Sequence, residues 1–214
     1  MADLFDFLNQ AVAAGFGAWA AFQLEARRQQ RKLASEHAAA IREGLFALIS
    51  YRNYLIHLNR RTLVPHIEHP QRHLTVPFVA IPFPYRPVRL EALGFLLGTE
   101  DAKILSDLDE AELQFQTVVG VLAARNNLHL ELQSRLEGAQ PGKKEGTLDD
   151  IDAAAGPFLV AHLKGVTDSL YDMADAATRS VLTAYNSLED LLRDKYPTER
   201  VPKLIRPGSG AVAG

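Results

Sequence analysis

The chain is 214 residues long, 47% hydrophobic, and carries a net charge of −3 with no cysteine. Its length allows one sizeable core, and the missing thiols exclude disulfides, thiolate zinc sites and cysteine nucleophiles. The charge is unevenly spread: residues 1–24 carry −2, residues 25–73 carry +5 and residues 74–214 carry −6.

At the N-terminus, Asp3 and Asp6 precede an apolar run over residues 11–22, and Arg27, Arg28, Arg31 and Lys32 follow it. Read as one membrane anchor over residues 1–24, this order places the basic flank and the bulk of the chain on the cytoplasmic side. Twelve uninterrupted apolar residues are fewer than the roughly 20 a spanning helix needs. Extension to residues 4–24 reaches the length but takes in Asp6, Asn9, Gln10 and Gln23, so the segment either crosses the bilayer or lies on it. The basic block directly behind it favours anionic lipid headgroups over nucleic acid, which makes membrane lipids the expected partner of residues 4–32.

Over residues 25–63, Ile41, Leu45, Leu48, Leu55 and Leu58 recur at three- and four-residue spacings, which predicts a stalk helix continuous with the anchor. Residues 64–87 hold six of the eleven prolines, a density that excludes regular helix. Within them, residues 76–85 are too apolar for a solvated linker and predict an extended strap lying across helices. Val76, Phe78, Ile81, Phe83 and Tyr85 are its candidate partner-binding side chains.

Residues 88–97 predict a short helix closed by Gly98, and Thr99 is positioned to cap the next one. That helix runs to residue 137 with a seam of Ile104, Leu108, Ala111, Phe115, Val118, Leu122, Arg125, His129, Leu132 and Leu136, the alternation of fours and threes used by helix bundles. A glycine-rich polar loop over residues 138–146 leads to a helix over residues 147–196, interrupted at Gly156-Pro157. Residues 207–214 read as a disordered tail. The expected fold is therefore all-α: an antiparallel long-helix bundle over residues 25–206, with the anchor helix and the proline-rich strap attached.

Three constellations bear on chemistry. His66, His69 and His73 offer imidazoles within eight residues, a ligand type that zinc prefers, yet they lie in a proline-rich loop with nothing to fix a tetrahedral array. Arg125 and His129 interrupt the apolar seam, and a buried cation there requires a partner. Asp168 and Asp172 on the last helix are the expected carboxylates of a polar layer that sets helix register. The third is Arg52-Asn53-Tyr-Leu-Ile-His57, which resembles the arginine, polar residue, spacer, histidine motif of HEPN-type ribonucleases, a helical and usually dimeric family. The resemblance implies phosphate stabilisation by Arg52, orientation by Asn53 and proton transfer by His57, and it covers only these few residues.

Phosphate loops, nucleophile elbows, His-Glu-x-x-His helices and dinucleotide glycine patterns are absent from the sequence, so no cofactor is expected. In outline the chain is similar to small bacterial proteins with one N-terminal membrane helix and a helical cytoplasmic body. The leading expectation is a membrane-tethered helical scaffold or interaction protein, without catalysis of its own, that binds a protein partner or a second copy. The alternative is a metal-independent ribonuclease using Arg52 and His57.

Overall fold

The computed structural model describes residues 2–81, 85–139, 148–197 and 199–202, with backbone alone for residues 2–18, 20 and 148. Every regular element among them is helical and none is a strand, so the protein is all-α.

Helix α1 spans Ala2–Leu58, 57 residues without a break, or roughly 85 Å at the α-helical rise. Its end is dictated by Pro65, which has no N–H to donate and whose ring crowds the preceding turn. The backbone loosens into a π-turn over Asn59–Leu63, tightens into a 3-10 turn over Val64–His66, and then leaves the helix axis. A single helical turn, α2 (Arg72–Thr75), precedes an extended stretch that carries Pro77 and Pro87.

The expected helix over residues 88–97 is a 3-10 helix, Leu90–Leu96. Gly98 closes it at φ 77°, a left-handed conformation in which a Cβ would crowd the backbone. Thr99 then accepts the Asp101 amide on its hydroxyl at 3.2 Å, and a short 3-10 turn runs into helix α3, Lys103–Ala139. Helix α4, Leu148–Ala155, is separated from α5, Pro157–Lys195, by Gly156 at φ 76°. Pro157 opens α5, where its missing N–H has no intrahelical role.

One core joins α1, α3 and α5. Ile41, Leu45, Leu48, Leu55 and Leu58 meet Leu108, Phe115, Val118 and Leu122, together with Leu170, Ala177, Val181 and Leu188. Asp101 before α3 pairs with Lys195 at the end of α5, and Ser187 Oγ lies 3.4 Å from Asp107. At the same end His37 of α1 stacks on Phe95 at 3.8 Å between ring centroids and meets the Tyr196 hydroxyl at 3.3 Å. Gly44 brings α1 close to α5: a Cβ there would lie 2.9 Å from Leu188 Cδ2. A second, smaller cluster of Leu132, Ala155, Leu159 and Leu163 ties α3, α4 and α5 together at the opposite end.

The expectation of a spanning helix over residues 4–24 is not sustained: no helix among the described residues is long and apolar enough to cross a membrane. The physical reason lies in the composition. The run over residues 11–22 is mostly alanine and glycine, and polar Asp6, Asn9, Gln10 and Gln23 bound it before the required length is reached.

Candidate functional site

Two regions stand apart from ordinary core packing. The first lies where the extended segment after α2 crosses α3. Arg125, at a seam position of α3, is fully buried. Its guanidinium donates to the Pro77 carbonyl at 2.9 Å, to the Val76 carbonyl, and at 3.4 Å to the His73 carbonyl. Next to it, Asn126 clasps Val79, accepting its amide at 3.4 Å and donating to its carbonyl at 2.8 Å. Further along the segment, Tyr54 donates to the Ala80 carbonyl at 3.2 Å and Tyr51 to the Arg86 carbonyl at 2.9 Å, while Glu112 accepts the Val88 amide at 2.9 Å. A proline-rich stretch has few partners within itself, so α1 and α3 supply side chains to its backbone groups. Beneath it Tyr51 stacks on Phe115 at 4.2 Å, and Tyr85 meets both rings edge-on. Burial pushes the Tyr54 phenol up to about 12 and raises Tyr51 further, with the nearby Glu112 carboxylate adding to the latter.

The expected polar layer is corrected by this geometry. Asp168 does not neutralise Arg125; it accepts Arg72 Nε at 3.0 Å and Nη2 at 2.8 Å, and the Arg72 guanidinium also lies 4.6 Å over the Tyr171 ring. Asp172 is exposed at the rim of an open cavity of about 540 Å³, together with Asn59, Leu63, Arg72, Tyr171 and Arg179. Arg179 there is paired with Asp175. Arg125 instead holds its charge among carbonyl oxygens, and burial pulls its pKa down from the usual range. His129, one turn beyond, is half-buried and lowered first by desolvation and then by Arg125. His73 is buried and lowered by desolvation, then by Lys164 and Arg125, with Asp168 acting against them.

The five residues expected to bind a partner divide. Val76 is fully buried and Ile81 and Tyr85 pack against the core, so these three are not a free binding edge. Phe78 is 55% exposed, and Phe83 lies outside the described residues. The three histidines do not converge: among the described residues no group of three His, Cys, Asp or Glu is placed to hold a metal ion. His69 instead accepts the Gln71 amide on Nδ1 at 3.1 Å, two residues away. Arg52 is half-buried with Nη1 unpartnered among the described residues, whereas Asn53 and His57 are exposed on α1. Five residues separate Arg52 from His57, which turns them roughly 140° apart around the helix axis.

The second region is the N-terminal part of α1. Ala38 is the first of its described side chains to enter the core. Between residues 19 and 33 every described side chain except Ala26 is exposed, including Trp19 at 61%, Phe22 at 71% and Leu24 at 67%. Arg27, Arg28, Arg31 and Lys32 are exposed on the same stretch. Of these four, Lys32 has a glutamate within reach, Glu36, at 3.9 Å.

Sequence reasoning missed Arg72 and Asn126. Nothing local marks Arg72, whose partner Asp168 is 96 residues away. Asn126 had a signal, a second polar residue beside Arg125 within an apolar helix seam. No known protein family, curated protein or solved structure matches the chain.

Proposed function

We propose that this protein is a non-catalytic helical scaffold that is held at a membrane surface by the N-terminal arm of α1 and presents its helical body to a protein partner or a second copy. The observation that carries this reading is the exposed stretch over residues 19–33, where Trp19, Phe22 and Leu24 lie beside Arg27, Arg28, Arg31 and Lys32 on a helix that is continuous with the body. Large aromatic side chains suit the headgroup boundary, and exposing them to water on an extended arm is unfavourable without a partner. An arm lying in the interface rather than crossing it agrees with its limited apolar length. Each cation near an anionic leaflet contributes about 1 kcal/mol, so four contribute about 4 kcal/mol before any apolar burial. Anionic lipid of this kind characterises the cytoplasmic leaflet, so the body belongs on that side. In this reading α1, α3 and α5 form an antiparallel bundle crossed by the strap, and among the described strap candidates Phe78 is the side chain exposed to a partner.

Trp19 is the only tryptophan in the chain, so its fluorescence reports on the arm alone. Titrating full-length protein with phosphatidylcholine vesicles containing phosphatidylserine should shift its emission to the blue and shield it from acrylamide. Unchanged emission and quenching with vesicles in excess would refute the reading.

A further inference from the structure

Arg125 lies fully buried with no carboxylate partner among the described residues, and two histidines lie near it. The His73 backbone carbonyl accepts from Arg125 Nη2 at 3.4 Å, and His129 lies one turn along α3. Four buried atoms of this region have no hydrogen-bond partner among the described residues: Arg125 Nε, His73 Nδ1, His129 Nδ1 and Thr75 Oγ1. A histidine can leave one ring nitrogen bare while neutral, but the charged ring carries two donors and calls for two acceptors. Neither ring has an acceptor on Nδ1, and each would place its new charge beside a cation already out of water.

We propose that residues 72–81 form an acid-released strap: Arg125 pins the segment shut while His73 and His129 are neutral, and protonation of these histidines opens it. The charged groups around His73 are Arg72 on its own element, Arg125 from α3, and Lys164 and Asp168 from α5. Asp168 alone among them favours the charged ring, and it is already shared with Arg72. His129 faces Arg125, and its ring Nε2 lies 3.3 Å from Gln133 Nε2, which brings no charge. Lifting the strap takes the His73, Val76 and Pro77 carbonyls away from the guanidinium, so that water reaches this region.

The direction of the effect follows from proton linkage. Both histidines bind protons more weakly in the closed state than in the open one, where they return to about 6.5. The closed strap is therefore fully favoured above that value and is lost as pH falls below it. With one proton taken up per ring, the open population rises by at most about tenfold per histidine between pH 7.5 and 5.5.

The test is hydrogen exchange by NMR on the full-length protein, following protection factors so that intrinsic rates cancel. The Val76 amide, bonded to the Arg72 carbonyl at 3.0 Å, and the Val79 amide, bonded to Asn126, report on the strap. Leu108 and Val181 report on the core. Strap protection should fall several-fold or more from pH 7.5 to 5.5 while core protection holds, and His73→Gln/His129→Gln should abolish that dependence while His57→Gln leaves it unchanged. Equal strap protection at both pH values, or undiminished dependence in the double variant, overturns the proposal. If the double variant does not fold, the wild-type histidine titrations decide. Ring titration midpoints coinciding with the loss of strap protection support acid release, and titration of His73 and His129 with the strap still protected refutes it.

Discussion

Replacing Arg125 with methionine removes the guanidinium while keeping most of the side chain's bulk, so the loss reads the hydrogen bonds rather than a cavity. Arg125 donates to the Val76 and Pro77 carbonyls and, at a longer distance, to that of His73. A hydrogen bond from a charged donor contributes roughly 1.5–3 kcal/mol, and an orphaned buried acceptor costs a similar amount. Set against this, methionine no longer has to hold a cation out of water, which returns part of that cost. With the Pro77 carbonyl only partly buried, the net destabilisation is about 3 kcal/mol, or a melting temperature lower by roughly 6–12 °C for a chain of this size. Arg125→Lys should recover less than half of the loss, because a single ammonium on a shorter reach cannot serve divergent carbonyls. Urea unfolding measures the stability, and limited proteolysis locates the damage, with new cleavage expected within residues 72–81. An Arg125→Met protein as stable and as protease-resistant as wild type would refute the view that this arginine fastens the strap.

Other expectations follow from the same contacts. Asn126→Ala should cost about 1–2 kcal/mol through the orphaned Val79 carbonyl and increase cleavage at the same segment without affecting α5. Gly44→Ile should destabilise by about 1–3 kcal/mol in thermal unfolding, since even its Cβ meets buried Leu188. Gly44→Ala should stay within about 1 kcal/mol of wild type, because improved helix propensity offsets a small shift of the leucine tip. The folded state keeps Tyr51 and Tyr54 protonated beyond the ordinary phenol range, so stability is present below about pH 10 and declines as pH rises through and above it. Absorbance at 295 nm should therefore show part of the phenol titration of the folded protein delayed beyond about pH 10 and released on unfolding, and ionisation of all six tyrosines near pH 10 in the folded protein would contradict the buried hydroxyl contacts.

Elements whose ends are written in local chemistry were legible before the structure. Thr99 caps the turn into α3 as expected, and Gly156-Pro157 divides α4 from α5 by combining a positive φ with a ready-made first helical turn. The seam of α3 correctly marked Arg125 as inward-facing. Its partners were illegible, because backbone carbonyls have no signature in sequence, and a search for carboxylates led to Asp168 instead. The turn types between α1 and α3 were equally hidden: π, 3-10 and α backbones bury similar residues at nearly the same spacing. At the N-terminus the apolar composition is visible but leaves crossing and lying on a bilayer both open, because alanine and glycine supply little hydrophobic free energy per residue.

Vesicle flotation tests the central claim most directly. Full-length protein is mixed with phosphatidylcholine vesicles, with or without phosphatidylserine, and compared with Arg27→Glu/Arg28→Glu/Arg31→Glu, whose substitutions are confined to the exposed arm. Wild type should float with the anionic vesicles, be released by high salt and stay behind with the neutral ones, and the charge-reversed protein should stay behind with both. Wild type remaining at the bottom with anionic vesicles, or the reversed protein floating equally well, would contradict the account.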